Sequence, residues 1–248
     1  MKEGITELEA VGTRYDLKKG KMVCASRGRL ICTRRADVED VFRYLVDDGD
    51  LRLEDQVTMV ASPVRDGELL TVNSLDDSAG VAVTLAAAAL LLPLEEALVE
   101  ADLTLLCCFT DNEEWPAQSN NFAMGAMRLG HAIPPPSIGS IVMDTQAVGN
   151  IRSGGGISYG YVSAGGLGAP VSLDCRAILD SLKERLNAVY PNTAQFNRGY
   201  FSRSDEFGFV RWSRAVGLFG VPVDNIHRGP ETCNVRDLVA SVRFLGAY

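Results

Sequence analysis

The sequence predicts an α/β protein: a three-layer sandwich in which a mostly parallel mixed sheet is flanked by helices, with a small β-rich segment ahead of it. Three features of the 248-residue chain carry that expectation. From about residue 70 onward, long apolar runs alternate with helical patterns, as in a sheet covered by helices on both faces. Before residue 70 the texture differs, with short β-like pieces broken by Gly, Arg and Asp. The chain therefore divides into residues 1–70, a β-rich N-terminal segment, and residues 71–248, an α/β domain. The third feature is where the apolar runs end. Leu69–Leu75 leads into Asp76-Asp77, Leu103–Thr110 into Asp111 and Glu113-Glu114, Ile138–Met143 into Asp144, and Val216–Ile226 into His227. In open α/β sheets the crevice at the carboxyl ends of the strands is where ligands bind.

The elements follow in order. Lys21–Ala25, Arg29–Thr33 and Gln56–Ala61 read as short strands, and Asp37–Asp48 as a helical stretch. Glu68–Leu75 reads as a strand and Ser78–Leu92 as a helix. Ala79–Leu94 is the most apolar segment; it is shorter than the ~20 residues that span a bilayer, so it reads as a buried helix. Leu103–Thr110 is a strand with Cys107 and Cys108 as buried thiols, followed by a loop over Asp111–Asn121. A helix near Phe122–Leu129 stops at Pro134-Pro135-Pro136, and Ile138–Met143 is the next strand. The Gly-rich stretch Ser153–Gly168 follows no clear βα turn, which argues against a phosphate loop. Ser172–Val189 carries apolar residues at helical spacing. Strand Val216–Ile226 and helix Val235–Leu245 complete the pattern.

Composition narrows the function classes. A net charge of −8 argues against a nucleic-acid surface and against anionic membranes. The six cysteines form no C-x-x-C pair, which suits a reducing compartment rather than a disulfide framework. The start, MKEGITELEA, has no apolar h-region of a signal peptide. A cytoplasmic protein is expected.

Carboxylates and an imidazole at strand ends are ordinary zinc ligands. Each has a bland reading beside that one. Asp76-Asp77-Ser78 suits a helix cap, Glu113-Glu114 a solvated turn, and Asp144 a cap or turn former. His227, in NIHRGPETC, suits a structural histidine, with Glu231 or Asp237 as a partner fixing its tautomer. His131 reads as surface. Asp205, in Ser204-Asp205-Glu206, is either solvent-exposed, a support for the site, or a receptor for a substrate amine.

The order of these residues says more than any one of them. SLDDSAGVA, then FTDNEE after an apolar run, then IVMD, then IHRGPE followed by Asp237 resembles the co-catalytic zinc aminopeptidases. The likeness is to the tetrahedral, deblocking or glutamyl type, with the aspartyl aminopeptidases as relatives. LRLEDQVTMV resembles the closing strand of their inserted β-barrel, so the resemblance spans about Leu51 to the C-terminus. It implies that Asp76 bridges two metals, Glu114 and His227 complete one site, Asp144 belongs to the other, and Glu113 is the general base. Asp77, Asp205 and Glu231 would support the ligands or meet substrate. The implied cofactor is zinc, or cobalt or manganese, as one or two divalent ions, or none if the site is degenerate. The implied substrate is a peptide and the implied state a homo-oligomer. Three departures stand out. Ser78 replaces the family's Arg, WPAQSNNFAMGA is longer than its tight turn, and no His-x-Asp motif precedes the barrel-like segment, because no histidine occurs before His131. The second metal is therefore expected to be held loosely. The competing reading is a non-catalytic homologue acting as a binding or assembly module; a third is a single-metal hydrolase of another amide or small ester.

Overall fold

The computed structural model describes the backbone of residues 6–16, 21–34, 42–49 and 56–59. It describes backbone and surroundings for 63–111, 113, 123–149, 151–160, 173–198, 204–209, 212–213, 215–227 and 230–248. The chain forms two compact units, Met1–Pro63 and Val64–Tyr248.

The first unit is an antiparallel sheet of β1 (Thr6–Asp16), β2 (Lys21–Arg34), β3 (Phe42–Gly49) and β4 (Gln56–Met59), in the order β3-β2-β1-β4. The two short pieces expected within Lys21–Thr33 are one long strand. A register shift between Arg29 and Leu30 against β3 lets it continue past the intervening Gly28. The expected helix over Asp37–Asp48 is a strand where it is described. Phe42, Tyr44, Leu45 and Val46 are strand-favouring residues, and they pair with β2 from Arg34 to Gly28.

The second unit carries a seven-stranded mixed sheet. Its strands are β5 (Val64–Asp66), β6 (Leu69–Val72), β7 (Ser140–Ala147), β8 (Ile157–Tyr159), β9 (Ala194–Phe196), β10 (Val216–Asp224) and β11 (Glu231–Asn234). β7–β10 and β8–β9 pair in parallel. The pairings β5–β6, β6–β11, β10–β11 and β8–β10 are antiparallel, so the parallel share is smaller than the apolar runs suggest. Residues Val216–Val223 are all buried, so β10 is covered on both faces and reads as a continuous apolar run.

The helices are α1 (Leu75–Leu91), α2 (Glu95–Glu100), α3 (Met124–Ala132), α4 (Leu173–Val189), α5 (Glu206–Phe209) and α6 (Val235–Ala247). Two apolar clusters hold them to the sheet. One joins Leu179 of α4, Phe244 of α6 and Ala126 of α3 to Leu218 and Phe219 of β10. Phe244 meets Phe219 edge-on at 5.0 Å between centroids, a favoured aromatic geometry. The other packs Leu75, Ala79 and Val83 of α1 on Val221, Val223 and Cys233. Asn234 caps α6, its side chain accepting from the Arg236 N–H.

Two expectations fail between α1 and α3. Leu103–Thr110 pairs with no strand among the described residues, and Leu105, Leu106 and Phe109 are each more than half exposed. Cys107 and Cys108 are accordingly exposed thiols, not buried ones. Ala79–Leu94 is expected as a buried helix, yet only 11% of the most apolar window of Leu75–Glu100, which contains it, is buried. Its inner stripe meets the sheet, and nothing among the described residues covers its outer one.

Candidate metal centre

Strand register builds the site. β7 lies parallel to β10 with Asp144 opposite Gly220, and β10 then runs on to His227. β6 pairs with β11 so that Val72 faces Glu231. The chain leaves β6, turns through Ser74 and presents Asp76 and Asp77 beside the start of β11. Asp144 lies inside a strand that continues to Ala147, not at its end.

One oxygen from each of Asp76, Asp77 and Asp144 falls within 4.8 Å of the others. His227 Nε2 lies 2.7 Å from Asp76 Oδ2; the imidazole is 61% exposed and the carboxylate 11%. Of the residues expected in the site, Asp76 and Asp144 thus meet and His227 reaches Asp76, while Asp77 joins the two aspartates with an oxygen of its own. Three carboxylate oxygens with an imidazole against one of them are donor types that suit zinc, cobalt or manganese.

The electrostatics point the same way. Burial pushes the Asp77 carboxyl up to about 8; the Gly80 N–H opposes this, and the negative charges of Asp76 and Asp205 add to it. Asp144 is also held well above the ordinary carboxylate range, first by burial and then by Asp76 and Asp77. Ser204 and the Thr145 N–H, 2.6 Å from Asp144 Oδ1, bond to it without reversing that shift. Crowded carboxyls that resist ionisation are a site short of positive charge, which a divalent cation would supply.

The supporting residues have defined jobs. Glu231, only 4% exposed, accepts the Asp76 N–H on Oε2 at 2.9 Å and the His227 N–H on Oε1 at 3.2 Å. It brackets the backbones of two ligand-type residues. Asp237 is not a partner of His227. It sits in the first turn of α6, fully buried, and accepts the N–H groups of Gly154 (2.8 Å) and Gly156 (2.7 Å). The sequence's solvent-exposed alternative for Asp205 fails, because Asp205 is 8% exposed and accepts from the Thr110 hydroxyl. Gly80 donates to Asp77 Oδ1 at 2.9 Å. A Cβ at residue 80 would come within 2.4 Å of that carboxylate and push it aside. Glu113 is half-buried and is not one of the three clustered carboxylates; Glu114 lies outside the described residues. His131 is exposed, as expected. Sequence reasoning missed Thr110, Ser204 and Gly80. Each sits beside a residue it did single out, and only the spacing of Gly80, three after Asp77, carried a usable signal.

The fold has known counterparts. PhTET1-12s, a dodecamer, superposes with a TM-score of 0.68 at 18% identity, over 99% of this chain and 73% of that one. An aminopeptidase from the archaeon Desulfurococcus kamchatkensis gives 0.66 at 17% identity, over 97% and 67%. An M18-family aminopeptidase from Thermotoga maritima gives 0.57 at 13% identity, over 97% and 70%. No family model and no curated protein matches the sequence. The chain therefore shares the fold of the TET and M18 aminopeptidases, an α/β fold with a mixed sheet flanked by helices.

Proposed function

We propose that this chain is a metal-dependent hydrolase of the aminopeptidase type that removes N-terminal residues from peptides. The observation that supports the reading most is the cluster of Asp76, Asp77 and Asp144 beside parallel β7 and β10, with His227 against Asp76, in a fold shared with aminopeptidases. Asp76, Glu114 and His227 are the proposed ligands of one site, and Asp76 and Asp144 those of a second, weaker one. A divalent ion, zinc or else cobalt or manganese, would supply Lewis-acid polarisation of the scissile carbonyl and a more acidic attacking water. Glu113 is the proposed general base, taking a proton from the water and passing it to the leaving amine. Glu231 holds Asp76 and His227 at a fixed separation. Asp77, in the cluster, and Asp205, beside it, are the proposed supports of its ligands or receptors of substrate. The exposed thiols of Cys107 and Cys108 suit a reducing, cytoplasmic setting, and the net charge of −8 disfavours nucleic acid. A homo-oligomer accords with the dodecameric state of PhTET1-12s.

Ligand counting sets the test. Three protein ligands hold a catalytic zinc, whereas the proposed ligands of the second site are two carboxylates, one of them shared, with the Asp77 carboxyl beside them but engaged by the Gly80 N–H. Elemental analysis of fresh protein, with aminoacyl-anilide assays at rising zinc, cobalt and manganese, is expected to give at most one firmly bound equivalent and slow turnover. Two tight equivalents with fast turnover would show that the second site has a further ligand. No metal uptake and no change in melting temperature would refute the reading.

A further inference from the structure

The chain has only two histidines. His227 stands against Asp76, and His131, on α3, belongs to no ligand cluster among the described residues. Within the cluster, a second ion beside the one His227 serves has only carboxylate oxygen to bind. Asp76 and Asp144 supply two such oxygens, and the structure brings up a third. One oxygen each of Asp76, Asp77 and Asp144 lies within 4.8 Å of the others. Two oxygens on one ion stand at most twice the metal–oxygen distance apart, ~4–5 Å for distances of ~2.0–2.6 Å. The three carboxylates are thus spaced to close on a single cation.

Asp77 is free to take part. The Gly80 N–H bonds its Oδ1 at 2.9 Å, so the helix start uses one oxygen and leaves Oδ2. Gly80 itself leaves the carboxylate room, since a Cβ there would push it aside. A further observation points to a cation. Asp205, 8% exposed, has its Oδ1 buried with no hydrogen-bond partner, and its charge bears on Asp77. Buried charges are paired or coordinate metals.

We propose that Asp77 is a metal ligand, and that Asp76, Asp77 and Asp144 together hold the second ion through oxygen alone. Carboxylates suit hard ions such as manganese or magnesium, whereas an imidazole suits zinc. The oxygen-only site is the weaker of the two. Zinc therefore fills the His227 side first, and the second place admits the hard ion. The proposal rests on the metal-dependent reading above; it moves Asp77 from support to ligand and names the class of ion.

The test takes the full chain loaded with one equivalent of zinc and titrates it with Mn2+, free ion being read by electron paramagnetic resonance. Wild type is expected to take up one further equivalent. Asp77→Asn keeps an acceptor for the Gly80 N–H but loses the second oxygen. Removing residues that merely orient ligands costs ~10–100-fold in affinity, and removing a ligand should cost no less. Asp77→Asn should therefore bind Mn2+ at least ~10-fold more weakly, while its zinc affinity, by chelator competition, stays at the wild-type value. Asp77→Glu restores a carboxylate and should recover part of the loss. The spin echo of Mn2+ bound to wild type should show no nitrogen modulation; a directly bound nitrogen would overturn the oxygen-only site without recourse to any variant. Equal Mn2+ affinity in wild type and Asp77→Asn, or no Mn2+ uptake by zinc-loaded wild type, would also overturn the proposal. Uptake of both ions with no hydrolysis of aminoacyl anilides would instead refute the peptidase reading and leave the three-aspartate site standing.

Discussion

Removing the carboxylate of Glu231 should loosen the metal centre without touching a ligand side chain. Its two oxygens accept the N–H groups of Asp76 and His227, residues 151 apart in sequence, and the side chain is almost fully buried. Hydrogen bonds to a charged group contribute about 1.5–3 kcal/mol each, and a buried donor left unmade costs a comparable amount. Glu231→Ala should therefore cost about 3 kcal/mol or more in stability. Glu231→Gln keeps one acceptor oxygen and presents an NH2 group to the other N–H, so it should lose roughly half of that. The larger effect falls on the ligands. Outer residues that orient metal ligands typically govern affinity by ~10–100-fold, and here one residue sets the spacing of two. The assay is zinc affinity by competition with a chromophoric chelator, with urea unfolding of the same samples. Both variants should bind zinc at least tenfold more weakly, Ala more so than Gln. If Glu231→Ala loses stability as expected but binds zinc as tightly as wild type, the bracket is structural only and the reasoning is wrong.

Three further outcomes follow. Gly80→Ala should leave stability nearly unchanged, since Ala favours a helix by up to ~1 kcal/mol over Gly, yet weaken metal binding because its Cβ would displace the Asp77 carboxylate; isothermal titration against urea midpoints separates the two. Asp144→Asn should keep the metal-free protein within about 1 kcal/mol of wild type, because burial and its neighbours already hold that carboxyl above its ordinary range, while the metal-induced rise in melting temperature disappears. Burial raises the Asp237 carboxyl from 3.8 to about 6 against the opposing Gly154 and Gly156 bonds. The folded state then binds the proton more tightly, so this group's stabilisation is complete below pH 3.8 and is lost as pH rises through about 6. The loss is about 3 kcal/mol at 1.36 kcal/mol per unit. Urea midpoints of wild type minus Asp237→Asn across pH 4–7 should fall along that curve; a flat difference would contradict it.

The elements most legible in the sequence are those whose partners lie in the same sheet. Val216–Ile226 reads as a strand because both faces of β10 are buried, and Ser172–Val189 reads as a helix because Cys175, Leu179 and Leu182 share a face. The misread elements share a cause. Phe42–Gly49 carries helix-compatible acids, and only pairing with β2 decides its state. Leu103–Thr110 has the composition of a central strand, but strand formation needs a neighbour, and none of the described residues provides one. Composition reports what a segment could bury against and is silent on whether that surface is present.

The same distinction governs the site. Asp76, Asp144 and His227 were legible as candidates because each ends or follows an apolar run, and β6, β7 and β10, running in the same direction, carry such run ends to one side of the sheet. Glu231 and Asp237 were equally plausible partners for the His227 imidazole by spacing alone; Glu231 meets the His227 backbone N–H instead, and Asp237 meets neither group. What separates them is that β11 ends at Asn234 and α6 begins at Val235. Glu231, still in the strand, stays level with Val72 and so with the turn that carries Asp76. Asp237, a half-turn into the helix, reaches the Gly154–Gly156 turn instead. Asp77 shows the converse. Its helix-capping alternative and its place in the metal cluster are compatible, because the Gly80 N–H occupies one oxygen while the carboxyl still reaches Asp76 and Asp144. A capping contact at this helix start therefore holds a third carboxylate in the cluster, and the raised proton affinities of Asp77 and Asp144 follow from that crowding in a buried place.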